Sequence, residues 1–320
     1  MTAWNAATSR RNTTSVQIIE FQNQVEQPSH KAWCPATGAM YNSHWSKFKR
    51  FMKKHTNKTP YKASETHIEC YVVSLHNQKL KADTIRTHLT AINNKFKLKG
   101  LHPKTDSFRL KKLLSAYEKG DGQKTTRKAI TRKLLKRMLA VLKEMNVSKH
   151  KKKLLASVLT LMYSALLRVS EVTQSKDSKY NHNLKRNNVQ VSGEKAAEVL
   201  LTLETYKFSK KPVTMAVRET KEITPYDRAI AFDKWAGSRK WFFVGEKGRP
   251  LTAEKLRRDI NNILLAAGLK PNEYNTHSFR IGKATDMWAQ GYSDAQICLA
   301  GRWNSKAFKK YIKPQILRLD

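Results

Sequence analysis

The longest uncharged apolar run extends from Leu154 to Leu167, and it constrains the fold more than any other feature. A helix that spans a bilayer needs about 20 consecutive apolar residues, so this run predicts a helix buried in a core rather than a membrane span. It stands out because Lys and Arg number 62 against 25 for Asp and Glu. With 40% hydrophobic residues and only 12 Gly and 9 Pro among 320 residues, the chain is expected to be globular, mainly helical and divided into two domains.

Apolar residues in the amino-terminal third recur at helical spacing. Trp45, Phe48 and Met52 fall on one helix face, and three similar apolar stripes follow. This pattern predicts a bundle of four short helices over residues 31–120, with strongly basic outer faces. Residues 1–30 are polar and show no sustained period, which predicts a flexible arm.

The formal net charge of +37 is spread along the whole chain. Such a basic body indicates an extended polyanion, and therefore a nucleic acid, as the partner. A ribosomal or chromatin protein that only coats nucleic acid would fit this charge equally well. The candidate DNA contacts are Lys47, Arg50, Lys54, Arg86, Lys210 and Lys211. Because phosphate contacts dominate such binding, its affinity should depend steeply on salt.

The polar, glycine-containing stretch from Gly120 to Thr126 predicts a domain boundary. A second domain is expected over residues 127–320, with mixed α and β structure. Its predicted elements are antiparallel strands at Glu198–Tyr206 and Pro212–Val217, a candidate short strand at Trp241–Val244 and a helix at Thr252–Ala267. The expected fold class is mainly α with a small antiparallel β-sheet.

Cysteine usage and the chain start bear on the compartment. The three cysteines are odd in number and widely scattered, which fits neither a disulfide framework nor a zinc ligand set. No apolar signal-peptide core is found in the first residues. We therefore expect an intracellular protein with no membrane association.

The segment from His277 to Tyr311 carries the residue types that phosphoryl transfer without a metal requires. Such a reaction needs fixed cations on the phosphate oxygens, a group that moves protons and a nucleophile. Arginine suits the first task because its planar fork donates two parallel hydrogen bonds and stays charged. Arg168, expected at the end of the apolar helix, and Arg280 are the candidates, with Glu171 one turn beyond Arg168 to orient its neighbours.

His277 and Arg280 lie one turn apart at an expected helix start after the cap Thr276, so both can face one ligand. Tyr311 is the candidate nucleophile. A tyrosine hydroxyl ordinarily has a pKa near ~10, so its attack needs a nearby base or cations. Trp303 has two open interpretations, an indole N–H donor at the site or plain core packing.

The proton donor is chosen among three lysines in the turn between the two predicted strands. Lys207 directly follows the first strand, so its position is the best defined, and it is preferred over Lys210 and Lys211. In so basic a chain the ordinary explanation of any single lysine is a solvated or phosphate-contacting residue.

The order of these residues resembles the active-site signature of the tyrosine recombinase (phage-integrase-like) family. The matching residues would be Arg168, Lys207, His277, Arg280, Trp303 and Tyr311. The motifs LLRVSE, HSFRIGKAT and GRWNSKAFKKYIKP most resemble integrases of eukaryotic mobile elements of the DIRS and crypton type, or of viruses. The amino-terminal bundle, notably KADTIRTHLTAINNKF, is similar to the family's SAM-like core-binding domain. One departure is the Leu166-Leu167 pair, which stands where the family usually has a glycine before the first arginine.

This resemblance implies a clamp of two domains around duplex DNA. Tyr311 would form a 3′-phosphotyrosine and release a 5′-hydroxyl that Lys207 protonates, without metal, ATP or another cofactor. Strand exchange would pass through a Holliday junction held by a homotetramer, with a dimer on each DNA site. The protein would be DNA-associated, and nuclear in a eukaryotic host.

Two alternatives stay open at this point. A type IB topoisomerase shares this chemistry and relaxes supercoils as a monomer. A non-catalytic DNA-binding protein derived from a mobile element would keep the clamp without cleavage, although the intact set of six candidates argues against such decay.

Overall fold

The computed structural model describes residues 33–122, 127–174, 183–192, 198–206, 209, 211–218, 232 and 240–312. The chain divides into two compact units, an amino-terminal unit up to Lys124 and a carboxy-terminal unit from Thr125. The arm predicted for residues 1–30 lies outside the described residues.

The described part of the amino-terminal unit is a bundle of four α-helices. They are α1 (Pro35–His55), α2 (Glu65–Asn77), α3 (Ala82–Leu98) and α4 (Phe108–Gly120), with a short 3-10 helix at Pro60–Lys62. Local sequence sets the helix starts: Ser64 caps α2 and Ser107 caps α4, each hydroxyl accepting a backbone N–H of the first turn. The four helices predicted from apolar periodicity are therefore present.

The core of this bundle is apolar and rich in aromatic rings. Trp45, Phe48 and Met52 are buried, as their spacing predicts. One polar contact lies within this core: the Tyr71 hydroxyl and the His88 Nδ1 are 2.9 Å apart and hydrogen-bonded. Burial raises the pKa of Tyr71. Burial is also the largest cause that lowers the pKa of His88, to about 4.

The carboxy-terminal unit begins with two packed helices, α5 (Arg132–Glu144) and α6 (Lys149–Ser164), capped by Thr131 and Ser148. The uncharged run is buried, but its helix ends at Ser164, earlier than predicted. Leu166 then takes a left-handed backbone with φ of 47°. Arg168 consequently does not end the long helix; it is the N-cap of the four-residue helix α7 (Val169–Val172).

A three-stranded antiparallel sheet follows, in the order β1-β2-β3. The strands are β1 (Val189–Ser192), β2 (Glu198–Leu203) and β3 (Val213–Arg218). In β2 buried side chains alternate with half-buried ones, because one face of a strand meets the core. The short strand considered at Trp241–Val244 does not form. Trp241 and Val244 make only isolated bridges, to Lys185 and Pro250.

The remaining elements are α8 (Ala253–Ala266), α9 (Ser278–Ala289), α10 (Asp294–Gly301) and a 3-10 helix at Lys306–Tyr311. A Cβ placed on Gly282 in α9 would lie 1.8 Å from the Ile130 carbonyl oxygen. A glycine is therefore required where the segment before α5 crosses α9. The mainly helical fold with a small antiparallel sheet is confirmed. In the described parts of the chain, no helix has the length and hydropathy of a membrane span.

Candidate active site

The carboxy-terminal half of the site is built on the start of α9. His277 is the N-cap residue of this helix, one residue later than the predicted cap Thr276. Its backbone N–H donates to the Asn275 side-chain oxygen at 2.9 Å. The neighbouring Ser278 carbonyl accepts the Ile130 N–H at 2.9 Å. The imidazole of His277 is exposed at this helix start.

Arg280, one turn further on, points into the protein. It is 1% exposed, and its guanidinium donates to two backbone carbonyls, Leu166 and Gly301, the second at 2.9 Å. The left-handed turn at Leu166 turns its carbonyl toward this guanidinium. Arg280 therefore joins three elements, α9, the turn after α6 and the end of α10.

Tyr311 lies at the end of the 3-10 helix and faces this arginine. Its ring centroid is 5.8 Å from the Arg280 guanidinium carbon, 5.0 Å from the Trp303 ring and 6.4 Å from the His277 ring. The Thr285 hydroxyl donates to the Tyr311 backbone carbonyl at 3.2 Å. The histidine, the arginine and the tyrosine singled out from the sequence are thus neighbours.

Trp303 packs in the middle of this group. The Arg280 guanidinium lies 4.6 Å above its ring, and Phe308 lies on its other flank at 6.2 Å between ring centroids. A Cβ on Gly301 would come within 1.8 Å of the indole, so only glycine allows the ring this close to the end of α10. Among the two interpretations left open for Trp303, these contacts are those of a packing residue that also supports Arg280 and Tyr311.

Arg168 and Glu171 lie against this group from the side of α7. Glu171 is buried and accepts from the Arg168 backbone N–H at 2.8 Å and from its guanidinium at 3.0 Å. The Arg168 side chain is 13% exposed, which leaves part of its fork open to a ligand. The orienting role expected for Glu171 agrees with these contacts.

Sequence reasoning missed Arg302, which is the second buried arginine of the site. Its guanidinium donates to Glu171 at 2.8 Å, so the same carboxylate holds Arg168 and Arg302. The sequence signal for Arg302 is the Gly-Arg-Trp motif, from which Trp303 was predicted as the site residue and Arg302 was not.

Glu171 binds two of the three guanidinium groups, those of Arg168 and Arg302, and Arg280 lies nearby, so the described cluster carries a net positive charge in a poorly hydrated place. Burial is the first cause that lowers the pKa of Arg280, to about 9, followed by the charges of Arg168 and Arg302. Burial likewise lowers the pKa of Arg302. The Nε atoms of Arg280 and Arg302 are buried without a hydrogen-bond partner in the described structure. An anion such as a phosphate would relieve this repulsion.

The other predicted residues are distributed as follows. Lys47, Arg50 and Lys54 are exposed on α1. Arg86 is engaged by acids, 3.0 Å from Asp83 and 2.6 Å from Glu118.

The three lysines of the turn after β2 are placed only in part. Lys211 is exposed, whereas Lys207 and Lys210 lie outside the described residues. Among the described residues, no group of three or more His, Cys, Asp or Glu side chains has a geometry that could hold a metal ion.

Comparison with known proteins identifies the family of this chain. The sequence model of the phage integrase family matches residues 128–314, which is more than half of the chain. The chain therefore belongs to the phage integrase family. No match to a curated protein was found.

Several solved structures share the fold at low sequence identity. A XerH site-specific recombinase bound to palindromic difH substrate has a TM-score of 0.61 and 16% identity, covering 86% of this chain and 75% of that one. A lambda integrase dimer bound to a COC' core site has a TM-score of 0.58 and 14% identity, with coverage of 97% and 81%. The Tn1549 transposon integrase bound to circular intermediate DNA has a TM-score of 0.54 and 13% identity, with coverage of 84% and 88%.

Proposed function

We propose that this protein is a site-specific DNA recombinase that cuts and rejoins strands through a covalent bond between Tyr311 and DNA. One observation carries the proposal: a tyrosine lies against a buried arginine and an exposed histidine, within a cluster that has more guanidinium groups than carboxylates. A non-catalytic clamp would have no need for a tyrosine in that position. Membership of the phage integrase family supports the same function.

In the proposed reaction the Tyr311 hydroxyl oxygen attacks the scissile phosphorus. The new bond is a 3′-phosphotyrosine, and the bond that breaks is the one from phosphorus to the 5′ oxygen. His277 accepts the tyrosine proton, while Arg168 and Arg280 stabilise the negative charge that develops on the non-bridging oxygens. Lys207, assigned through the family resemblance, donates a proton to the departing 5′ oxygen.

The link to tyrosine conserves the energy of the phosphodiester bond. A 5′-hydroxyl from a second DNA strand can therefore attack it and restore an intact backbone, so the protein's side chains alone balance the reaction, without ATP or a metal ion. Repetition on the second pair of strands passes through a Holliday junction. We propose a dimer on each DNA site and a tetramer on two sites.

The amino-terminal unit contributes affinity in this proposal. Lys47, Arg50 and Lys54 project from one helix into solvent and would contact phosphates. A protein with this activity acts where DNA is stored, which is the nucleus in a eukaryotic host. The sequence motifs favour an integrase of a eukaryotic mobile element or a virus as its origin.

The test is covalent capture of DNA from a pool, because the sequence at which the protein cleaves is not known in advance. A pool of nicked duplexes with randomised sequence is incubated with the full chain in EDTA and without ATP; cleavage beside the nick releases a short strand and traps the adduct. We expect a protein–DNA adduct with wild-type protein and none with Tyr311→Phe. Sequencing the trapped DNA then gives the cleavage site.

Tyr292→Phe is the matched control, because Tyr292 is an exposed tyrosine of the same unit outside the site. It should form the adduct as the wild type does. If wild-type protein binds the pool tightly and forms no adduct, or if Tyr311→Phe still forms it, the proposed cleavage is wrong and the non-catalytic clamp takes its place.

A further inference from the structure

Arg302 lies where a residue would be expected to point outward. It directly follows α10 and has φ of 54° and ψ of 49°, a left-handed conformation that residues other than glycine rarely adopt. Its side chain turns inward and is only 3% exposed. A non-glycine residue in this conformation, with a buried charge, has to be held by strong contacts.

Those contacts are one ion pair and two hydrogen bonds to backbone carbonyls. The Arg302 guanidinium donates to Glu171 at 2.8 Å and to the Ala165 and Leu166 carbonyls at 3.2 Å each. All three acceptors belong to the turn between α6 and α7 or to α7 itself. Arg302 therefore fixes the segment of chain that carries Arg168.

Two of these acceptors are shared with the arginines assigned to the phosphate. Glu171 also accepts from Arg168, and the Leu166 carbonyl also accepts from Arg280. The position of Arg302 is thus coupled to Arg168 through the Glu171 carboxylate and to Arg280 through the Leu166 carbonyl. Among the described residues, removing Arg302 would leave Arg168 as the cation that pairs with Glu171.

The same guanidinium also reaches the sheet. It contacts the Met215 sulfur on β3, and the nearby Tyr206 acts electrostatically on it. Tyr206 directly precedes Lys207, the proposed proton donor. Arg302 is consequently in contact with the turn that carries Arg168 and with the hairpin that leads to the lysine.

We propose that Arg302 is a positioning residue for DNA cleavage: through Glu171 it holds the Arg168 guanidinium in the orientation that binds the scissile phosphate. This inference rests on the proposed function, since it assigns a part in that reaction. A positioning role differs from a purely structural role in two ways. The effect of Arg302 on the cleavage rate depends on the Glu171 carboxylate, and it depends on the negative charge of the scissile phosphate.

The experiment uses the full chain on the duplex selected by covalent capture, with saturating protein and single-turnover conditions. The variants are Arg302→Ala, Glu171→Gln and the two combined, and Arg257→Ala serves as an exposed arginine control on α8. Each is measured on an ordinary scissile phosphate and on a methylphosphonate, in which a methyl group replaces one non-bridging oxygen and removes the charge.

We expect Arg302→Ala to slow cleavage of the ordinary phosphate about 100-fold and Arg257→Ala to leave it unchanged. On the neutral methylphosphonate the factor between Arg302→Ala and wild type should shrink to less than about tenfold, since less charge has to be stabilised. In the Glu171→Gln background the same substitution should cost less than about threefold, because the two residues act as a unit.

The proposal would be overturned if Arg302→Ala cleaved DNA at the wild-type rate. It would also be overturned if the substitution lowered the rate by the same factor on both substrates, or by the full factor again in the Glu171→Gln background. If Arg302→Ala does not fold, Arg302→Lys, which keeps the charge but not the fork, is judged by the same three criteria. An adduct with wild-type protein shows in every case that the failure concerns Arg302 and not the proposed function.

Discussion

The two units of this chain differ in whether the described structure buries an arginine. In the amino-terminal unit the buried set is aromatic and aliphatic apart from His88, and the exposed cations include Lys47, Arg50 and Lys54. In the carboxy-terminal unit two arginines, Arg280 and Arg302, are among the buried residues. Burying a charge without a partner is costly, so a protein retains such groups where they stabilise something else.

The difference indicates a division of work. Exposed cations in water are screened by salt and each contributes little, which suits reversible contact with many phosphates. Buried guanidinium groups act in a less polar medium, where they stabilise a developing charge strongly. We therefore propose that the first unit supplies affinity for DNA and the second unit the chemistry, and substitutions made in each unit test this division.

The largest effect is expected at Arg280. Arg280→Lys keeps a cation but loses the fork that bonds the Leu166 and Gly301 carbonyls. Removal of one preorganised donor typically costs about 10²- to 10³-fold in rate, so single-turnover cleavage should fall by that factor while the Kd for DNA changes little. Equal losses in rate and in affinity would break the proposed division.

The next effect concerns stability, and it is opposite in sign in the two units. Gly282→Ala in α9 would push a methyl group into the Ile130 carbonyl and should destabilise the carboxy-terminal unit by at least about 2 kcal/mol. Gly38→Ala in α1 meets nothing within 4 Å and should stabilise its helix by roughly 0.5–1 kcal/mol.

Denaturant unfolding of the full chain, with hydrogen exchange to assign each unit, measures both glycine changes. A neutral Gly282→Ala would mean that the segment before α5 does not cross α9 as closely as described.

A smaller and more uniform effect is expected from the basic face of α1. The triple change of Lys47, Arg50 and Lys54 to Ala should weaken DNA binding at every sequence. It should also reduce the slope of log affinity against log salt by roughly 2 to 3, since each lost phosphate contact contributes about 0.9.

The matched control keeps the charges: Lys47→Arg, Arg50→Lys and Lys54→Arg together should leave the slope unchanged. A triple alanine variant with an unchanged slope would remove α1 from the DNA contact.

The last effect is a pH dependence expected in the amino-terminal unit. Burial, followed by the charges of His44 and Lys47, lowers the pKa of His88 to about 4 from 6.5. A pKa that is lower in the folded state gives stability that is present above pH 6.5 and is lost as the pH falls toward 4. The protection factors of this unit, in which each exchange rate is corrected for the fall of the intrinsic rate with pH, should therefore decrease below pH 6.5, while exposed His102→Gln leaves the profile as it is.

Much of the fold followed from the sequence because its signals are local. The stripe of Trp45, Phe48 and Met52 and the helix predicted at Thr252–Ala267 each depend on residues within a turn or two, and both were predicted correctly. His277, Arg280 and Tyr311 were also predicted to lie at one site, because histidine, arginine and tyrosine in that order carry chemistry that few other patterns require.

The misses share a cause as well. The end of α6 at Ser164 and the left-handed residues Leu166 and Arg302 depend on contacts between distant segments. A leucine does not predict a left-handed turn, and Arg302 contacts Glu171, which lies far away in sequence. These features depend on tertiary contacts, so local sequence propensity does not predict them.

The central claim is that Tyr311 itself becomes linked to DNA, and peptide mapping tests it most directly. The covalent adduct is digested with nuclease and then with trypsin, which cuts after Lys310, and the peptides are analysed by mass spectrometry. The account predicts a nucleotide on the tryptic peptide that begins with Tyr311. A nucleotide attached to any other residue would contradict it.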